Sequence, residues 1–148
     1  MHITDTVFYK MTQISRYAKI LGKKILEKHL TGVTVEEYAA LSLVSCKPNL
    51  CQAEIANHLV LEKGRVCKLV ESLEVKGFIE RVANVRNKKL VKVLNITEAG
   101  KEILNKNASY AKDLTKLIQS NLTDEEINVL DEKLNILLAS IIKLVEKN

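Results

Sequence analysis

The sequence contains little tryptophan, proline, glycine or cysteine. It has no tryptophan, one proline, five glycines and three cysteines among 148 residues. With so little proline and glycine there is no room for long linkers, and we expect one mainly helical domain over residues 1–148. An odd number of cysteines does not form a disulfide framework and suits a reducing compartment. No apolar run is long enough to span a membrane, and the N-terminus lacks the basic-then-apolar order of a signal peptide, which predicts a cytoplasmic protein.

Residues arranged for catalysis or metal binding are also lacking. His2, His29 and His58 do not have the spacing of metal ligands. The sequence shows no Ser-His-Asp arrangement, no nucleophile elbow and no glycine-rich phosphate loop. We therefore expect neither an enzyme nor a bound metal or cofactor.

The positive charge of the chain is concentrated in one stretch. The whole sequence has 23 Lys and Arg against 18 Asp and Glu. Residues 60–96 alone hold nine cations and four glutamates, and the rest of the chain balances at 14 of each sign. Because solvated surfaces usually mix the two signs, this local excess favours contact with nucleic acid over a merely solvated face.

The first half of that stretch has the period of a helix. Four apolar residues form one stripe at helical spacing, namely Val66, Leu69, Val70 and Leu73. A different face is polar and cationic, and carries Arg65, Lys68, Ser72 and Lys76. Gly77 tolerates a left-handed conformation and is predicted to end the helix.

The second half has the period of strands. Residues 78–82 and 90–96 read as two β-strands, and residues 83–87 read as the turn between them. Upstream, residues 51–59 form a short helix that a turn at residues 60–63 joins to the cationic helix. A helix-turn-helix followed by a hairpin with a basic tip is the outline of a winged helix-turn-helix, here placed at about residues 34–96.

Long amphipathic helices flank this region. Residues 4–29 carry apolar side chains at alternating spacings of three and four, and Thr34 and Glu37 form a capping box for a helix over residues 35–46. Residues 98–148 contain a helix to about residue 120 and, after a second capping box at Thr123, a last helix with a wide apolar face. Packing within one subunit explains part of these faces, but we favour a dimer interface formed by residues 4–29 and 98–148. The predicted fold is thus mainly α with a small β-hairpin wing.

The runs LTGVTVEEYAALSLV, LCQAEIANHLVLEKGRVCKLVESLEVKGFIERV and NKKLVKVLNITEAGKEIL together resemble the multiple-antibiotic-resistance regulator (MarR) family of bacterial transcription factors. The resemblance covers nearly the whole chain. It implies a homodimer with two winged helices that represses transcription by occupying a pseudo-palindromic DNA operator. Many members of the family bind phenolic or other small amphipathic effectors, and Tyr9, Tyr17, Tyr38 and the loop after Lys47 are candidates to line such a cleft, although core packing explains the tyrosines equally well.

The resemblance and the chemistry of the side chains suggest roles in DNA binding. Residues 62–68 correspond to the start of the family's recognition helix, in which Gly64 and Cys67 stand where Ser or Thr is common. Arg65 and Lys68 are the long donors for the major groove, and an arginine can read guanine bidentately. Lys63, Lys68 and the helix N-terminus at Gln52 would hold phosphates. The predicted DNA-binding residues are Gln52, Lys63, Arg65, Cys67, Lys68, Arg86, Lys88 and Lys89, the last three as minor-groove candidates in a wing that lacks the family's usual aspartate.

Two alternatives remain open at this point. Cys51 lies at a helix N-terminus, which favours a thiolate, and Cys67 lies on the recognition helix, so either could make the regulator redox-responsive. We favour a purely structural role for Cys51. The other alternative is a winged-helix module that binds an acidic protein instead of DNA, and only base-dependent binding would separate it from a transcriptional regulator.

Overall fold

The computed structural model describes residues 2–147, which form helices and one small sheet. A short 3₁₀ turn at Ile3–Asp5 precedes the first helix. The elements then follow in the order α1 (Val7–Leu21), a π-helical turn (Gly22–Leu26), α2 (Glu27–His29), α3 (Val35–Cys46), β1 (Leu50–Cys51), α4 (Gln52–Leu59), α5 (Lys63–Val75), β2 (Ile79–Arg86), β3 (Lys89–Ile96), α6 (Glu98–Gln119) and α7 (Asp124–Lys147). The chain divides into two compact units, the first ending at Tyr110 and the second beginning at Ala111. The predicted fold class, mainly α with a small β wing, is confirmed.

The predicted first helix is interrupted. Thr6 caps α1 by accepting a hydrogen bond from the Tyr9 amide at 3.2 Å. The α-helical pattern then gives way to a π-helical turn over Gly22–Leu26. Gly22 is buried, and a Cβ on it would lie 3.7 Å from the Val35 side chain, so the turn sits against the start of α3. The single helix predicted over residues 4–29 is therefore a helix with a π-turn at its one glycine.

The core of the first unit lies inside the winged helix. The predicted apolar stripe of α5 is buried, with Val66, Val70 and Leu73 at 1% exposure or less. It packs with α3, α4 and the sheet around Leu41, Ile55 and other apolar residues (Val44, Leu50, Ile79 and Leu94). Gly77 ends this region in the left-handed conformation, with φ at +73°, as its position in the sequence predicts.

The sheet has three antiparallel strands in the order β1-β3-β2. The turn predicted at residues 83–87 is wrong, because β2 continues to Arg86 and pairs there with Lys89. The chain reverses through Asn87 and Lys88, both at positive φ (+51° and +63°), as a two-residue type I′ hairpin requires. The prediction failed because the polar residues of 83–87 resemble a loop, while their pairing with β3 supplies the strand. The wing is consequently longer than predicted, with its lysines at the tip.

The first turns of α6 are fixed to the winged helix by close contacts. Thr97 caps the helix by accepting a hydrogen bond from the Gly100 amide at 3.1 Å. Gly100 lies so close to the chain before β2 that a Cβ there would stand 2.2 Å from the Phe78 carbonyl oxygen. Asn107 is buried at 1% exposure and bonds through its side-chain amide to the backbone of Thr31 and Ile103.

The second unit contains the end of α6 and all of α7. Thr123 and Glu126 form the predicted capping box of α7, with bonds of 2.8 and 3.2 Å. None of the described residues of α7 is buried, and large apolar side chains such as Leu130, Ile136 and Leu138 are exposed along it. A helix with this much exposed apolar surface is incompletely packed as a single chain.

Candidate nucleic-acid interface

The start of α5 is presented outward by the helix-turn-helix. Between α4 and α5 the chain turns at Val60, which adopts the left-handed conformation, and Leu61 donates to the Ala56 carbonyl at 3.1 Å. Because α5 buries one stripe, its opposite side faces solvent. The residues predicted there to contact DNA are all exposed, namely Lys63, Arg65, Cys67 and Lys68, together with Gly64 between them.

The cationic face predicted along α5 is only partly free. Three of its four members bond to glutamates at the start of α3. Arg65 pairs with Glu36 through two nitrogen–oxygen contacts. Ser72 and Lys76 both bond to Glu37. On this face Lys68 is exposed to solvent, while the other three residues contact α3. The spacing of residues in α5 alone does not reveal these contacts.

Glu37 joins α3 and α5 through a nearly buried carboxylate. It accepts from Ser72 Oγ at 2.6 Å, from Lys76 Nζ at 2.7 and 2.9 Å, and from the Thr34 amide at 2.8 Å. Burial alone would raise the pKa of Glu37, but the hydrogen bonds from Lys76, Ser72 and Thr34, with the Lys76 charge, hold that pKa below its usual value. The predicted capping box at Thr34 is confirmed, and its Glu37 side chain also bonds to Ser72 and Lys76 of the neighbouring helix region.

The wing is braced by an arginine that we predicted to enter the minor groove. The Arg86 guanidinium contacts both Glu54 oxygens at 3.0 Å and also donates to the Asn49 carbonyl oxygen. The hydrogen bond from the Cys51 amide, followed by that from Arg86, holds the pKa of Glu54 below its usual value. Arg86 therefore ties β2 to the start of α4. Its entry into a groove stays a prediction.

Lysines supply the unpaired charge of this surface. Of the nine cations in residues 60–96, four form ion pairs with glutamates: Arg65, Lys76, Arg81 and Arg86. Within residues 2–147, the other five are exposed and have no ion pair, and they are Lys63, Lys68, Lys88, Lys89 and Lys92. Two lie on the outer side of α5 and three on the outer half of the wing. An ammonium without a carboxylate partner is available to phosphate.

The remaining predicted site residues have mixed placements. Gln52 is half-buried at the first position of α4. Cys51 is half-buried and Cys67 is exposed on α5, and both are free thiols, as is Cys46. A redox role for either thiol stays a prediction. Tyr38 packs against the core of the winged helix, whereas Tyr17 is exposed.

Glu36 and Glu54 bond to arginines of the candidate interface, and the sequence alone did not single them out. Glu54 follows Cys51 by three residues, the spacing of a capping box, and it does accept from the Cys51 amide at 2.7 Å. That signal places Glu54 at the helix start but does not reveal its second partner, Arg86. Nothing in the sequence indicates that Glu36 meets Arg65, 29 residues further along the chain.

The structure between residues 2 and 147 also bears on metal binding and on membrane-spanning helices. No three His, Cys, Asp or Glu side chains there come together as a metal site. No helix there is both long enough and apolar enough to cross a membrane.

Comparison with known proteins gives a family match over the region that holds most of this surface. Residues 33–91 match the model of the MarR family. The multiple antibiotic resistance protein MarR of Escherichia coli strain K12 is 24% identical over 137 residues, which cover 88% of this chain and 94% of that protein.

Solved structures share the fold over nearly the whole chain. A MepR–DNA complex of S. aureus has a TM-score of 0.71 at 23% identity, covering 95% of this chain and 99% of that one. The PcaV transcriptional regulator of Streptomyces coelicolor, solved with its natural ligand, has a TM-score of 0.71 at 13% identity, with coverage of 95% and 97%. At these identities the likeness establishes the fold.

Proposed function

We propose that this chain, whose residues 33–91 match the model of the MarR family, is a dimeric, sequence-specific DNA-binding repressor in the cytoplasm, without enzymatic activity. The observation that carries the proposal is the outward face of α5 and the wing tip. There, five lysines that have no carboxylate partner within residues 2–147 lie on the exposed start of α5 and on the wing. A relative of the same fold has been solved as a MepR–DNA complex.

The two parts of this surface suit different parts of a duplex. A major groove about 12 Å wide admits one helix, and α5 presents Lys63, Gly64, Arg65, Cys67 and Lys68 at its entering end. The wing tip at Lys88 and Lys89 would follow the backbone or enter the adjacent minor groove. Lysines at both places favour phosphate contacts that set register, and the face of α5 supplies base contacts.

A second copy of the chain would complete the molecule. Apolar residues remain exposed on α1, including Val7, Phe8 and Ile14, and along α7. Covering such surfaces with the same surfaces of a partner is the usual solution in symmetric dimers. Two winged helices related by a two-fold axis would then read half-sites about one helical turn apart. We propose that residues 1–148 act as one regulator, with residues 4–29 and 98–148 as its dimerisation helices.

We also propose that a small aromatic or amphipathic molecule releases the repressor from DNA. The support is the PcaV regulator, whose structure of the same fold contains its natural ligand. Release would follow if the ligand bound more tightly to a conformation in which the two winged helices no longer match the operator spacing.

The test is binding to a labelled duplex from upstream of the protein's own gene, compared with a scrambled duplex across about 50–200 mM salt. We expect a preference of about a thousandfold or more that persists at the higher salt. If binding were equal for both duplexes, and a selection from random duplexes also returned no preferred sequence, the repressor proposal would be refuted in favour of a protein-interaction module.

Substitutions of single cations distinguish phosphate contacts from contacts to bases. Lys88→Ala should weaken binding to every sequence and reduce the slope of log K against log salt by about one. Lys106→Ala, an exposed lysine of α6 outside the winged helix, is the matched control and should leave the slope unchanged. Arg65→Ala should instead reduce the difference between the preferred and the scrambled duplex.

A further inference from the structure

The ion pair between Arg65 and Glu36 has a geometry that matters for base recognition. Arg65 Nε donates to Glu36 Oε2 at 3.0 Å, and Nη2 donates to the other carboxylate oxygen, Oε1. The guanidinium is therefore held along its side, through Nε and one hydrogen of Nη2. A guanidinium has five N–H donors in a rigid plane. The unused donors are both hydrogens of Nη1 and the outer hydrogen of Nη2.

Those unused donors form the pair that guanine needs. The outer Nη1–H and Nη2–H are parallel at the end of the plane, and the O6 and N7 acceptors of guanine accept such a pair in the major groove. The Glu36 carboxylate bonds to the Nε side of the guanidinium, and the Nη1–Nη2 end therefore stays available for a base. Arg65 lies at the start of α5, the part of the helix that the proposed function places in the groove.

The pair contributes to orientation much more than to folding. The side chains of Arg65 and Glu36 are 61% and 38% exposed, and an ion pair this open to water contributes little to stability. A free arginine, in contrast, samples many rotamers and loses that freedom when it binds a base. The backbone that carries Glu36 is well held, because the adjacent Glu37 side chain is hydrogen-bonded to Lys76 and Ser72.

We propose that Glu36 is a positioning residue that holds Arg65 ready to read one guanine in each half-site. The inference rests on the proposed DNA-binding function and adds to it the residue that sets base preference at one position. It also explains why an arginine already paired with a carboxylate stands on the exposed face of α5. The ion pair does not withdraw Arg65 from DNA but selects which of its donors face the base.

The test is a double-mutant cycle on base discrimination. The preferred duplex is first selected from random sequences with wild-type protein, and each G·C pair of a half-site is then exchanged for the other three pairs. Dissociation constants are measured for wild type, Glu36→Gln, Arg65→Ala and the double variant. Glu74→Gln is the matched control, because Glu74 is about as exposed as Glu36 and also pairs with an arginine, Arg81, outside the reading face of α5.

We expect one position at which wild type prefers guanine by about tenfold or more. Glu36→Gln should reduce that preference to about threefold or less while the other positions keep theirs. Arg65→Ala should abolish the preference, and Glu36→Gln should have no further effect in that background, since Glu36 acts through Arg65. Glu74→Gln should resemble wild type. Arg65→Lys, which retains the charge but lacks the planar pair of parallel donors, should weaken the guanine preference and keep the salt dependence.

Three results would overturn the inference while leaving the proposed function intact. They are an unchanged guanine preference in Glu36→Gln, tighter binding of that variant to all sequences, and an equal loss from Glu36→Gln in the presence and absence of Arg65. Tighter binding to all sequences would mean that Glu36 merely competes with DNA. If wild type itself preferred no sequence, the proposed function would fail and this inference with it.

Discussion

Replacing Glu37 by alanine tests how the winged helix is held together. The carboxylate is 4% exposed and receives hydrogen bonds from Ser72, from Lys76 and from the Thr34 amide. Its removal leaves a half-buried hydroxyl and a backbone amide without their partner, and it removes the hydrogen bonds that link α3 to Ser72 and Lys76. Glu36→Ala is the matched control, because it removes a glutamate from the same first turn of α3 and loses only the exposed pair with Arg65.

The expected magnitudes follow from exposure. Breaking a fully buried ion pair costs about 3–5 kcal/mol, but the Lys76 side chain is 36% exposed and can be hydrated after the loss. We therefore expect Glu37→Ala to cost about 2 kcal/mol of unfolding free energy. Glu36→Ala should cost less than about 1 kcal/mol. Helix propensity and the interaction with the helix dipole change almost equally in the two variants, so their difference isolates the buried network.

The assay is urea unfolding followed by circular dichroism at one fixed protein concentration, because dimerisation would contribute to apparent stability. The expected difference between the two variants is about 1–2 kcal/mol, and in a thermal melt it should lower the melting temperature of Glu37→Ala by roughly 2–8 °C relative to Glu36→Ala. Equal costs for the two substitutions would refute the reasoning that burial and partner number distinguish these adjacent glutamates.

The same network predicts the direction of the pH dependence. The pKa of Glu37 is lowered in the folded protein, so its contribution is present above the unfolded pKa of about 4.5 and is lost as pH falls through the folded value. Wild type and Glu37→Ala should therefore differ most near neutral pH, and the difference should shrink as pH falls through the lowered pKa of Glu37. A stability difference that grew on acidification would contradict the assigned ionised state.

Three further substitutions test individual contacts by the same unfolding assay. Gly100→Ala should cost about 3 kcal/mol, because the new Cβ would stand 2.2 Å from the Phe78 carbonyl oxygen, and a cost below about 1 kcal/mol would contradict that approach. Asn107→Ala should cost about 2–3 kcal/mol through lost buried hydrogen bonds, whereas Asn105→Ala on the exposed side of α6 should cost little, and equal costs would count against the role of burial. Val60→Gly should stabilise by about 0.5–1 kcal/mol, since Val60 is 86% exposed at a φ of +52°, and a loss of stability would exclude backbone strain there.

Local rules in the sequence were sufficient for most of the fold. Several local features are where the sequence places them: the apolar stripe of α5, the capping boxes at Thr34 and Thr123, and the left-handed Gly77. Each depends on residues within one or two turns of the chain, so spacing alone is informative. The turn of the wing was misplaced because strand pairing between residues 83–86 and β3 is a longer-range interaction that overrides polar local composition.

For the candidate interface too, some features follow from the sequence and others only from the tertiary structure. The sequence by itself determined that residues 60–96 carry the excess positive charge, and it placed the exposed lysines on the recognition helix and the wing. Only the tertiary structure decided which cations are free, because Glu36, Glu37 and Glu54 approach Arg65, Lys76 and Arg86 from positions 29 to 39 residues away along the chain. Helical period gives the direction in which a side chain points, but the packing of helices determines what it meets there.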